Sequence, residues 1–233
     1  MNHEAIVLAG GFGTRLKSVV DNVPKPMAMV SGKPFLYYLL NYLRSEGIEK
    51  VVLSVGYKHE VISGFFGTRF LSMEIDYAIE DRPLGTGGGI RLALKKCTGD
   101  RVFVVNGDTF FPVPLEQLHT KHTQIQAEAT IALKETEETG RYGTVRMDEK
   151  GFIRSFKEKN GPSGSLINGG IYLLDKHKFE ARPFNEKFSF ENDYLEPVSG
   201  QYCIAGCIFS NYFIDIGIPE SFLQAQEYFK SLK

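Results

Sequence analysis

Short apolar runs alternate with amphipathic stretches along the first half of the chain. Residues 5–9, 51–55, 74–79 and 101–105 are brief and apolar, which predicts strands, the first two of them buried on both faces. Between them, residues 34–46 carry apolar positions Phe35, Leu36, Leu39, Leu40 and Leu43 at helical spacing, with Pro34 in the first turn and Gly47 as the stop. Shorter helices are predicted over 59–66 and 90–96. Strands alternating with helices predict right-handed βαβ units and a mostly parallel sheet. The second half reads as more antiparallel, with strands over 127–133, 142–147, 152–156, 166–174 and 201–209, and a tight turn at Asp148-Glu149-Lys150-Gly151. Ser189 is placed to cap a helix, and Pro219 begins a C-terminal helix reaching about residue 231. The expected class is α/β. No repeat, linker or low-complexity tract interrupts residues 1–233, so one domain is the economical expectation.

Composition narrows the field by exclusion. A net charge of −1 over 233 residues offers no basic field for nucleic acid. No apolar run reaches membrane-spanning length, and no basic segment precedes an apolar one at the N-terminus, so a cytoplasmic protein without a membrane partner is expected. Cys97, Cys203 and Cys207 are odd in number and lack C-x-x-C spacing; strand alternation places Cys203 and Cys207 on one face as buried thiols. His119 and His122 fall on one helical turn with no third ligand nearby, which reads as a solvated face.

Candidate chemistry gathers where strands end, the edge at which parallel sheets bind ligands. Leu8-Ala9-Gly10-Gly11-Phe12-Gly13-Thr14-Arg15-Leu16 leaves the first strand. Its glycines allow sharp turning and close backbone approach, Thr14 adds a hydroxyl, and Arg15 adds a planar fork suited to phosphate oxygens. The stretch lacks the lysine of a P-loop, and Leu16 stands where a dinucleotide fingerprint needs its third glycine. Prolines on both sides stiffen the backbone at Lys25. Glu80 to Gly89 follows the third strand, and its Gly85 and Gly87 would let a flat ligand lie against the backbone. Asn106-Gly107-Asp108 closes the fourth strand, presenting a carboxylate suited to a Mg²⁺ that keeps waters and takes phosphate oxygens. Tyr212-Phe213-Ile214-Asp215-Ile216-Gly217 repeats that pattern far downstream. Two aspartates meeting at one metal is the resulting expectation. Glu158-Lys159 pairs an acceptor for sugar hydroxyls with a point charge for phosphate, and Asn168-Gly169-Gly170 sets a bulge or close ligand approach inside an apolar strand.

This succession of motifs resembles the sugar-1-phosphate nucleotidylyltransferase family over nearly the whole chain. G-G-x-G-T-R-L followed by a lysine in a P-K-P-M context is the family's opening signature. The resemblance implies a Rossmann-like fold, a mixed, mostly parallel sheet flanked by helices. It also implies a reaction in which a nucleoside triphosphate and a sugar 1-phosphate give a nucleoside-diphosphate sugar and pyrophosphate. By the same resemblance, Leu8, Gly10, Gly11, Gly13, Thr14 and Arg15 hold the nucleotide, with Asn106 and Gly107 beside them. Arg15, Lys25 and Asp108 carry the catalytic step, Leu84, Gly85, Thr86 and Gly87 line the base, and Asp108 and Asp215 bind Mg²⁺. Gly143, Glu158, Lys159, Asn168 and Gly169 bind the sugar phosphate.

Glu80 stands where thymidylyl members of the family resemble one another in carrying glutamine. A carboxylate is acceptor-only, and guanine offers adjacent N1–H and N2–H₂ donors where thymine offers one donor. That points to GTP. Arg141-Tyr142-Gly143-Thr144-Val145, the stretch around Asn168 and that around Asp215 look like one branch, the D-glycero-D-manno-heptose 1-phosphate guanylyltransferases of bacterial envelope-glycan synthesis. Mannose-1-phosphate guanylyltransferases and the dTTP, CTP or UTP enzymes share the opening motifs. A catalytically silent sensing subunit is the alternative of another class, and it would be expected to lose Arg15, Lys25 or Asp108, all of which are kept here. Homo-oligomerisation is left open.

Overall fold

The computed structural model describes residues 3–11, 23–137, 142–157 and 164–231. The chain begins with β1 (Glu4–Leu8); a 3₁₀ turn over Lys25–Met27 then leads into β2 (Met29–Val30), β3 (Lys33–Pro34) and α1 (Phe35–Ser45). Next come β4 (Lys50–Val55), α2 (His59–Phe66), β5 (Arg69–Phe70), β6 (Met73–Ile79), α3 (Gly85–Leu94) and β7 (Arg101–Asn106). After these follow β8 (Thr109–Phe110), α4 (Leu115–Ile125), β9 (Ala129–Thr136), β10 (Thr144–Met147), β11 (Ile153–Lys157), β12 (Ser165–Asp175) and α5 (Lys176–Glu180). A π-helical segment over Phe190–Leu195 runs into α6 (Glu196–Val198), and β13 (Ile204–Phe209), β14 (Ile214–Asp215) and α7 (Pro219–Ser231) complete the order.

Parallel pairing runs through β6, β4, β1 and β7, with β1 central. β1, β4 and β7 are buried on both faces, whereas β6 alternates buried and exposed positions, and register makes the two faces coherent. Ile6 lies opposite Val52 and Val104, and all three point into one core cluster with α3 and the π-helical segment. Val7 lies opposite Leu53 and Val105, which enter the other cluster with α1 and α7. The expected apolar face of α1 is that buried stripe, with Phe35, Leu36, Leu39, Leu40 and Leu43 all without solvent contact. Beyond β7 the pairing turns antiparallel at β12, which lies beside β7, β9 and β10, and at the other edge β5 pairs antiparallel with β6. The chain leaves β1 toward β4 on one side and β7 on the other, so the C-terminal ends of β1 and β7 flank a crevice.

Three sequence expectations are corrected by packing. First, α3 starts at Gly85, not at 90, with Gly87, Gly88 and Gly89 buried inside it. A Cβ on Gly87 would run into the Phe188 ring, and one on Gly88 would lie 2.8 Å from the Glu186 carbonyl oxygen. The helix accepts weak helix formers because the segment over 184–190 lies directly on its backbone. Second, Cys203 precedes β13 and packs against the α3-side cluster, whereas Cys207 packs against the α1-side cluster. Burial pushes the Cys97 thiol up to about 12 and Cys203 to about 11, so neither is poised as a nucleophile.

Third, His122 is not solvated. It is 1% exposed on the inner face of α4, with Nδ1 2.9 Å from the Thr130 hydroxyl. Burial, reinforced by the Arg101 charge, pushes its pKa down to about 4. The imidazole is therefore neutral when folded, and the unfolded chain binds a proton first as pH falls below about 6.5. The result is a loss of stability on acidification between those two values, roughly 2–3 kcal/mol by pH 4.5 from this group. Denaturant unfolding at pH 7 and pH 4.5 should show that His122→Gln flattens the pH dependence by that amount. An unchanged slope would show that His122 is not the titrating group.

Candidate functional site

Lys25 sits at the start of its 3₁₀ turn, with Pro24 before it and Pro26 within it. Its Nζ donates to Asp108 Oδ2 at 2.5 Å and lies 3.7 Å from Asp215 Oδ1. The two aspartates, remote in sequence, meet through a small antiparallel pair. Thr109 of β8 lies opposite Asp215 of β14, and Phe110 opposite Ile214. Ile216 N–H donates to the Asp108 carbonyl at 3.0 Å, closing the same junction. The Lys25 side chain is 14% exposed, Asp108 37% and Asp215 24%, so the cluster is half-screened yet open on one side. Gly217 N–H donates to Asp215 Oδ1 at 2.5 Å, and a Cβ on Gly217 would lie 3.1 Å from Lys25 Nζ. The glycine after the aspartate thus leaves room for the ammonium.

A second set of polar groups surrounds the hydroxyl of Tyr172, a side chain in β12 with no solvent exposure. Asn168 Nδ2 donates to this hydroxyl at 2.8 Å, and Gly170 N–H donates back to Asn168 Oδ1 at 3.0 Å. The Asn106 side chain, at the end of β7, lies against the β12 bulge, where a Cβ on Gly170 would come 2.9 Å from its Nδ2. The register between β12 and β9 shifts between Asn168 and Tyr172, which is the bulge that the glycine pair predicts. Gly170 has φ +73°, and a Cβ on Gly169 would strike the Phe111 ring. Gly107 is required similarly, because a Cβ there would lie 2.5 Å from the Leu8 carbonyl oxygen, to which Gly107 N–H donates at 3.0 Å. Gly143 is exposed beside Tyr142, whose ring packs edge-on against Phe213, two residues before Asp215.

The third region is a cavity of about 290 Å³ lined by Gly10, Gly56, Tyr57, Glu80, Asp81, Arg82 and Pro83. It lies past the C-terminal ends of β1, β4 and β6, beside the exposed Gly11. Glu80 Oε2 accepts from Leu84 N–H at 2.9 Å, while Oε1 has a longer contact of 3.4 Å to the Ser54 hydroxyl. Oε1 is also the oxygen nearest the place where Gly10 would carry a Cβ. One carboxylate oxygen therefore holds the loop and the other retains acceptor capacity.

Gly85 and Gly87 turn out to accommodate Phe188, whose carbonyl accepts from Gly87 N–H at 3.0 Å. Thr86 is likewise engaged, donating from Oγ1 to Glu191 Oε2 at 2.8 Å and accepting from Phe190 N–H at 2.8 Å. Gly13, Thr14, Arg15, Glu158 and Lys159 lie outside the described residues, as does Arg141. Tyr57, Tyr172 and Glu191 are the neighbours that sequence reasoning missed. Tyr57 was discoverable by applying to β4 the strand-end rule that exposed the other loops. Tyr172 carried a weaker signal, a polar-tipped aromatic two residues past the glycine pair.

Among the described residues, no three His, Cys, Asp or Glu side chains converge as a metal cage. Two hard carboxylates do converge at Asp108 and Asp215. That donor set suits a cation such as Mg²⁺, which keeps several waters and takes phosphate oxygens as further ligands. The geometry as a whole joins a cationic amine, two carboxylates, an amide-lined bulge and a cavity along one sheet edge. Such a site can hold a polyphosphate and a second anionic substrate against each other.

Comparison with known proteins agrees with that chemistry. The chain is 48% identical over 224 residues to the D-glycero-alpha-D-manno-heptose 1-phosphate guanylyltransferase of Aneurinibacillus thermoaerophilus, covering 96% of this chain and 97% of that protein. It is 46% identical over 219 residues to the enzyme of the same name from Campylobacter jejuni, covering 94% and 96%. Among solved structures, HddC from Yersinia pseudotuberculosis complexed with GMP-PN superposes with a TM-score of 0.86 at 37% identity, over 97% of this chain and 99% of that one. The sequence profile of the nucleotidyl transferases matches residues 4–231, and the chain belongs to that family.

Proposed function

We propose that this protein transfers a guanylyl group from GTP to a sugar 1-phosphate, D-glycero-α-D-manno-heptose 1-phosphate, releasing pyrophosphate and forming the GDP-sugar. The convergence of Lys25, Asp108 and Asp215 at the sheet edge carries the reading. Its support from outside is the match, at nearly half of all positions and nearly full length, to heptose 1-phosphate guanylyltransferases. A catalytically silent subunit would have no use for this charged triad.

The reaction forms one bond, from a sugar-phosphate oxygen to the α-phosphorus, and breaks the bond from that phosphorus to the β-phosphate bridge. The attacking oxygen is already anionic near neutral pH, so no general base is needed. The barrier lies in bringing two anions together and in charge developing on the leaving pyrophosphate. Lys25 answers the first by holding its ammonium beside the α-phosphate, and Arg15 answers the second at the triphosphate. Gly10, Gly11, Gly13 and Thr14 cradle the triphosphate with backbone N–H groups and a hydroxyl, Leu8, Asn106 and Gly107 shape the floor beneath it, and Leu84 to Gly87 border the base. Asn168 and Gly169, with Gly143, Glu158 and Lys159, orient the sugar phosphate for in-line attack. Enzymes of this family usually use a divalent metal. Mg²⁺ at Asp108 and Asp215 would supply charge neutralisation at the phosphate oxygens when bound.

Glu80 is the base-reading residue in this proposal. Oε1, with only the 3.4 Å contact to Ser54, and the second lone pair of Oε2, which accepts from Leu84 N–H, would take guanine N1–H and N2–H₂ together, a pair of adjacent donors that the pyrimidines do not offer.

Two measurements test these roles. Lys25→Ala should lower kcat by a factor on the order of 10²–10³ in a pyrophosphate-release assay, with the fold retained by circular dichroism. Turnover near that of the wild type would remove Lys25 from the chemistry. In a matrix of GTP, dTTP, CTP and UTP against heptose, mannose and glucose 1-phosphates, GTP with the heptose should lead. Glu80→Gln should reduce kcat/KM for GTP about tenfold or more and narrow the gap to the pyrimidine nucleotides. A wild-type preference for a pyrimidine would reject both GTP and the Glu80 role.

A further inference from the structure

Glu191 has a side chain that neither the motifs nor the proposed mechanism uses. It lies half-buried in the π-helical segment, one residue past Phe190, whose ring meets Tyr172 edge-on at 5.0 Å. Two hydroxyls converge on a single oxygen of its carboxylate. Thr86 Oγ1 donates to Oε2 at 2.8 Å, and Ser189 Oγ lies 3.2 Å from the same atom. Thr86 is itself held, since its oxygen accepts from Phe190 N–H at 2.8 Å. Oε2 is thus held by two hydroxyls, while Oε1 receives no hydrogen bond from any described residue.

The location of that oxygen narrows what it can meet. Phe190, the residue before Glu191, packs on the Tyr172 ring, and Asn168 donates to the hydroxyl of that same tyrosine, which places Glu191 on the side of α3 that faces the β12 bulge. Glu191 does not line the cavity beside Glu80, which lies past the ends of β1, β4 and β6. A carboxylate repels phosphate and accepts from neutral hydroxyls. A polyol ring is the part of either substrate that fits an acceptor-only group next to Asn168.

We propose that Glu191 is a specificity-determining residue that accepts a hydrogen bond from a ring or side-chain hydroxyl of the sugar 1-phosphate through Oε1. The proposal rests on the functional reading above and adds a contact to it. Thr86 and Ser189 orient the carboxylate, Thr86 from the loop that borders the base. Because the hydrogen bonds from Thr86 and Ser189 both go to Oε2, a bound sugar lacking the matched hydroxyl would leave Oε1 desolvated without a donor.

The test is steady-state kinetics of wild type and Glu191→Gln, with the sugar phosphate varied at saturating GTP and GTP varied at saturating sugar phosphate. Glutamine can keep its carbonyl toward the two hydroxyls, which presents an amide donor where Oε1 was. The KM for the sugar phosphate should rise about tenfold or more, with the KM for GTP within twofold of wild type. In a series of monodeoxy sugar 1-phosphates, one position should cost the wild type a similar factor and cost the variant almost nothing. Glu191→Asp keeps the charge and withdraws it by one methylene, and it should give the same split should the glutamine variant not fold. An unchanged sugar KM would overturn the proposal, as would a rise confined to GTP that 2′-deoxy-GTP reproduces, which would assign Glu191 to the ribose. Wild-type protein that released no pyrophosphate with any sugar 1-phosphate would overturn the functional reading and this proposal together.

Discussion

One ammonium between two carboxylates is the constraint to which the rest of this fold answers. Lys25, Asp108 and Asp215 come from three separate parts of the chain, and charges of like sign at Asp108 and Asp215 would not stay together unaided. The antiparallel pairing of β8 with β14 fixes the distance between the carboxylates, and the Pro24-Lys25-Pro26 turn aims the amine between them. Partial exposure matters here. A fully buried triad would have to overcome the desolvation of all three charges, while a fully exposed one would be weakened by water and salt. At the half-open edge of the sheet the cluster keeps its geometry and still faces incoming anions.

Architecture supplies that edge. β1 is the pivot from which the chain departs to β4 on one side and β7 on the other, so every loop that leaves the C-terminal ends of these strands opens onto the same crevice. The two core clusters, one on each face, hold the sheet rigid through the residues that alternate along each strand. Side chains at strand ends are positioned by that packing. The loops between them contribute chemistry without having to contribute stability.

Local signals in the sequence reached far into this arrangement, and their failures share a cause. The helix over 59–66 and the C-terminal helix from Pro219 coincide with α2 and α7, and each has one terminus written in local chemistry, Gly67 after α2 and Pro219 at the start of α7. Asn168-Gly169-Gly170 was legible as a bulge for a similar reason, since glycine within an apolar strand has few other uses. The α3 boundary was not legible. A run of three glycines reads as loop by propensity, and only the Phe188 ring and the backbone beside it explain why it is helix. His122 failed in the same way: its burial is decided by Thr130 across the α4–β9 contact, which no spacing within the helix reveals. That two aspartates would follow apolar runs was plain, but that they would meet was a fact of tertiary structure.

The glycines of α3 also explain how the two halves of the site are kept in register. They let the segment around Phe188 lie on the helix backbone, where Leu84 carbonyl accepts from Phe188 N–H and Phe188 carbonyl accepts from Gly87 N–H. Glu80 is tied to that same loop through Leu84, and Glu191 is tied to it through Thr86. The two carboxylates proposed to read the base and the sugar are therefore braced against one short helix start. Displacing the helix to enlarge one pocket would drag the other, because the contacts between them are close-packed and leave no slack to absorb the movement. Specificity for nucleotide and for sugar is on this argument a coupled property of α3. Exchanging single contact residues should alter either preference more readily than any change that moves the helix itself.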